Sequence, residues 1–109
     1  MNAKADAILS TARNLVTSDR ASDYGPMKHN MDTIAKFWNV YLHCRPSGRS
    51  DIIDGEDVAM MLALMKVARI CGGPFKDDSY IDLAGYAAVA GQVAYERETP
   101  QEQADERDG

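Results

Sequence analysis

The residues of this sequence best placed to do chemistry are charges set inside apolar stretches. Between Val58 and Ile70 only Lys66 and Arg69 are charged, and Glu56 and Asp57 stand just before that run. Further on, Asp82 is flanked by Ile81 and Leu83, with Asp78 four residues earlier. Burying an ion is costly unless it is paired or holds a ligand. Asp78 and Asp82 share one helix face at that spacing and repel each other, and a divalent cation between them relieves the repulsion. Mg²⁺ typically takes one or two carboxylates together with waters and substrate phosphates. Asp57 would add a third oxygen if the helices carrying these residues run antiparallel. Glu56 would orient a water, and Lys66 and Arg69 would grip phosphate. At about 100° per residue, Lys66 lies roughly opposite Asp57 around its helix, with Arg69 nearer to Asp57.

A structural reading of the same residues stands beside this one. Asp77 and Asp78 can cap a helix, and Glu56 and Asp57 can answer a helix dipole. Asp82 sits past the first turn, where capping does not explain it, but it can pair with Lys66 or Arg69. A second cluster, Asp23-Tyr24-Gly25-Pro26 followed by Lys28, His29 and Asn30, is rich in hydrogen-bonding groups. Tyr24 and Asn30 beside a helix start would bracket a base or an anion. His29 reads as a surface histidine or an acid/base group, and Phe37, Trp38 and Tyr41 read as core. Cys44 and Cys71 have no metal, disulfide or catalytic spacing, and the sequence has no glycine-rich phosphate loop or serine-nucleophile motif.

Four helices must position these groups. Ala5, Ile8, Leu9, Ala12, Leu15 and Val16 form one amphipathic stripe that fades at Thr17. The polar run Ser18 to Asp23 reads as a loop. Pro26 opens a second helix carrying Met27, Met31, Ile34, Ala35, Trp38, Tyr41 and Leu42 on one face. After the breaker-rich loop Arg45 to Ser50, Asp54 is a plausible N-cap for a third helix that stops at Cys71-Gly72-Gly73-Pro74. The fourth starts at Asp77 or Asp78 and runs to about Glu98. No repeat or convincing strand is present. The third and fourth helices are apolar on nearly every face, which predicts burial on all sides. Four helices cannot easily supply that within one chain, so the fold expected is an all-α bundle of about four helices completed by a homodimer or higher oligomer, with a compact monomer of tight Ala/Gly packing as the alternative.

Composition bounds the rest. The chain has 109 residues and a net charge of −5, which is not the footprint of a non-specific nucleic-acid binder. Residues 1–98 read as one helical domain and 99–109 as an acidic, disordered tail. No segment approaches the ~20 apolar residues of a membrane span, and no secretory signal opens the chain. A cytoplasmic protein with reduced thiols is expected.

Asp23-Tyr24-Gly25-Pro26 with Asn30, then Ile34-Ala35 and Trp38, Glu56-Asp57-Val58-Ala59, Lys66-Val67-Ala68-Arg69 and the block Asp77 to Tyr86 resemble a family of small phage and prophage proteins of uncharacterised function. The resemblance covers about residues 20 to 93 and implies a phage or prophage origin and action in the host cytoplasm. More distantly, the layout is similar to all-α nucleotide pyrophosphohydrolases of the MazG type. That family binds Mg²⁺ through an EExxE pattern on one helix and ExxD on the next. Here Glu56 and Asp57 match the first pattern and Met60 replaces its last acid. Asp82 matches the second, with Ser79 at its first position and Asp78 one residue off.

The leading expectation is therefore nucleotide handling: Mg²⁺-dependent hydrolysis of a nucleoside triphosphate, with Asp57, Asp78 and Asp82 on the metal. Glu56 would serve the water, and Lys66, Arg69, Tyr24 and Asn30 the nucleotide. A non-enzymatic phage accessory protein that binds a nucleotide signal or a host protein is the alternative. An interaction module using the small residues of the fourth helix is a third.

Overall fold

The computed structural model describes residues 2–17, 27–46 and 51–99. They form four helices and no strand: α1 (Ala3–Thr17), α2 (Met27–Cys44), α3 (Gly55–Gly72) and α4 (Asp77–Glu98). The loop expected at Ser18 to Asp23 and the tail beyond Thr99 lie outside the described residues.

Local chemistry explains where α3 begins and ends. The Asp57 backbone N–H donates to Asp54 Oδ1 at 3.0 Å, and the Asp54 N–H donates back to Asp57 Oδ2 at 2.9 Å. This reciprocal capping box satisfies two donors that a helix start otherwise leaves unpaired. At the other end the Gly73 N–H reaches the Arg69 carbonyl at 3.1 Å, and Pro74 cannot continue the helix. For α4 the N-cap is Lys76, whose side chain makes no capping bond, and Asp77 and Asp78 occupy the first turn, where the dipole favours acids.

α3 lies in the middle, packed on α4 along its length and on α2 less extensively. Both pairings are antiparallel. The start of α3 meets the end of α4, where a Cβ on Gly55 would stand 3.5 Å from Val93 Cγ1. The same end of α3 meets the end of α2, because Trp38 Nε1 donates to the Met61 carbonyl at 2.6 Å. The core these contacts enclose is small: Ile34, Ala59, Ala63, Ala68 and Ala90. Alanine lets the helix backbones approach closely but buries little area per residue.

The described residues bear out the all-α, four-helix reading. α1 buries no residue, and Ile8, Leu9, Leu15 and Val16 of its apolar stripe are each about half exposed. α4 is not surrounded within one chain. Tyr80, Ile81, Val89 and Tyr95 face solvent, and α3 is better covered, although its Val58 is also 45% exposed. On α2 the buried line runs through Asn30 and Ile34, leaving Met27 and Met31 exposed.

Candidate functional site

Among the described residues Asp57 is the one large side chain fully removed from solvent, at 0% exposure. The end of α2 holds it there. Tyr41 Oη donates to Asp57 Oδ1 at 2.7 Å, and Arg45 Nη1 forms an ion pair with Oδ2 at 2.7 Å. With the Asp54 N–H also on Oδ2, both carboxylate oxygens are engaged. Arg45 is itself nearly buried, so charge is matched with charge in a dry setting, where removing either partner is expensive.

Beside it, α3 and α4 are tied by Arg97. Its Nη2 lies 2.7 Å from Glu56 Oε1, its Nη1 is 3.1 Å from Asp54 Oδ2, and its Nε is 3.0 Å from Glu98 Oε1. Hydrogen bonds donated to Glu56 and then to Glu98 raise the guanidinium pKa further above its already high value, so this cation stays charged under all ordinary conditions. Glu56, expected to orient a catalytic water, is thus committed to an ion pair.

Toward the other end of the same interface, Lys66 Nζ sits 2.9 Å from Asp82 Oδ2, with the lysine 13% and the aspartate 44% exposed. Arg69 is half-buried and also engaged. Asp78 is exposed one turn before Asp82.

The expected metal triad is therefore not assembled in the chain. Among the described residues no group of three His, Cys, Asp or Glu side chains is placed to hold a metal ion. The reason is the antiparallel pairing that the triad was thought to need. Asp82 is level with Lys66, and Asp57 lies nine residues earlier on α3, about 13 Å along the axis. Asp57 moreover faces α2, whereas Asp82 pairs with α3 from α4.

Tyr24 lies outside the described residues. Asn30 is buried against the end of α3, lining a hollow of about 40 Å³ with His29, Thr33, Ala68, Cys71 and Gly72. That volume holds a water, not a nucleobase. Sequence reasoning missed Arg45 and Tyr41 as partners of Asp57, because one was read as loop and the other as core. It also missed a hollow of about 150 Å³ at the start of α4, lined by Ile70, Gly73, Pro74, Phe75, Lys76, Ser79 and Tyr80. There the Phe75 and Tyr80 rings lie 5.7 Å apart at 32°, and Phe75 is 75% exposed.

Compared with known protein families, residues 7–94 match a domain of unknown function, DUF6378. The chain is a member of the DUF6378 family. Two relatives are encoded by phages, in line with the resemblance read from the sequence. The gene 55 protein of Mycobacterium phage L5 is 39% identical over 83 residues, covering 76% of this chain and 49% of that protein. The gene 55 protein of Mycobacterium phage D29 is 35% identical over 88 residues, covering 81% of this chain and 54% of that protein. This DUF6378 chain thus spans about half the length of these relatives. No solved structure matches it. Among its described residues no helix is long and apolar enough to cross a membrane.

Proposed function

We propose that this DUF6378 protein is a phage accessory protein that acts by binding a partner and performs no chemistry on it. One observation carries the reading: the carboxylates that a nucleotide hydrolase would spend on metal and water are spent on ion pairs. Asp57 serves Arg45 and Tyr41, Glu56 serves Arg97, and Asp82 serves Lys66. A general base or metal ligand must reach the reacting atoms, and a carboxylate at 0% exposure does not.

Among ligands, a nucleotide is favoured by the hollow at the start of α4. Its 150 Å³ suits a planar base, the exposed face of Phe75 offers stacking, and Lys76 supplies a cation for phosphate. The competing reading is the MazG-type reaction, with Mg²⁺ held at Asp78 and Asp82.

Incubation with a nucleotide panel and Mg²⁺, followed by pyrophosphate detection and thermal melting, separates the two. A raised melting temperature without pyrophosphate, abolished by Phe75→Ala, is the expected result. Release of pyrophosphate that is lost in Asp78→Asn would replace it with the hydrolase reading. A panel that neither shifts the melting temperature nor reacts would remove the nucleotide and leave a host protein as the ligand class.

A further inference from the structure

α1 is an amphipathic helix with no groove, and α4 offers a groove with no helix. α1 buries nothing, and a 15-residue helix standing alone in water is marginal. Along it runs a hollow of about 360 Å³, lined among the described residues by Lys4, Ala7, Ile8, Thr11, Ala12 and Leu15. On α4, Ile81, Ala84, Ala87, Ala88, Gly91 and Tyr95 recur at helical spacing and are all exposed. This stripe has bulky residues at both ends and small ones between, a saddle in which a crossing helix can sit close to the backbone. Nothing lies within 4 Å of a Cβ built on Gly91 or Gly85. Glycine inside a helix is costly relative to alanine, and packing within the chain does not repay it here.

We infer that a second copy of this chain fills the saddle, with α1 of each protomer lying across α4 of the other. The lengths agree: α1 has 15 residues, and the stripe from Ile81 to Tyr95 also spans 15, about 22 Å each. The charges agree too, since α1 carries +1 and α4 carries −4 from their Lys, Arg, Asp and Glu residues. Reciprocal exchange forms two identical contacts about a two-fold axis and closes the assembly.

Sedimentation of the full chain at micromolar concentration tests this, with twice 12.0 kDa as the expected mass. Ala88→Arg and Leu9→Asp, both at exposed positions, should each give a monomer that keeps the packed helices α2 to α4 and loses at most the helical circular dichroism of the 15 residues of α1. Contact in trans is tested with two separately purified proteins, both carrying Cys44→Ser and Cys71→Ser at exposed sites. One adds Ala12→Cys and the other Ala88→Cys, and a short bismaleimide applied to the mixture should yield a mixed cross-linked dimer. A monomeric wild type, a dimer that survives both surface substitutions, or the absence of a mixed cross-linked dimer would each overturn the proposal.

Discussion

The Asp57 carboxylate ties the end of α2 to the start of α3 through three donors: Tyr41 Oη, Arg45 Nη1 and the Asp54 backbone N–H. Asp57→Asn keeps the shape and strands Arg45, which is nearly buried. Losing one member of a buried pair costs about 3–5 kcal/mol, a large share of the ~5–15 kcal/mol that holds a domain. Urea unfolding should show that loss, and an unchanged midpoint would mean that the pair is not formed. Asp82→Asn tests a milder case. Lys66 is well covered but Asp82 is 44% exposed, so the pair falls between surface pairs near zero and buried ones. A destabilisation of about 1–2 kcal/mol is expected, whereas relief of a repulsion between Asp78 and Asp82 would leave the fold unchanged or stabilise it.

At the level of helices, the cap of α3 is a separable contribution. Asp54→Ala removes the acceptor of the Asp57 N–H and one anion from Arg97, and should lower stability by about 1–2 kcal/mol in chemical denaturation. The bounds of all four helices were legible because they are written in local chemistry: Asp54 before the apolar run, Gly72-Gly73-Pro74 after it, and paired acids at the start of α4. The partners of the site residues were less legible. Apolarity on every face says that α3 and α4 want cover, but an Ala- and Gly-rich helix has no amphipathic direction to say where that cover comes from. Nor does the spacing of Asp57 and Asp82 reveal their level along the interface, which the antiparallel turn sets. Lys66 as a partner of Asp82 was among the pairings the spacing allowed. Arg45 reaching back to Asp57 across the loop had no spacing signal at all.

As a whole molecule, the chain keeps little bulk inside: the buried hydrophobic residues described are one isoleucine and four alanines. Helices that hold one another through alanine cores leave larger side chains outside, including Met27, Met31, Ile81 and Val89. If a second copy supplies the cover proposed above, the melting temperature should rise with protein concentration, as mass action requires when folding and association are linked. Calorimetry across a hundredfold dilution range checks this, and a concentration-independent transition would mark each chain as thermally self-sufficient.

The in-line order of α2, α3 and α4 has a kinetic consequence. Each packed pair is made of helices adjacent in the chain, so the native contacts close short loops and the contact order is low. Such topologies fold in microseconds to milliseconds. The central helix should lead, since α3 is the element that gains on both sides, and its amides should be the last to exchange with deuterium, while those of α1 exchange first and slow only as dimers form. Temperature-jump relaxation and residue-resolved exchange would then read the same hierarchy from opposite directions: the helix that folds first opens last.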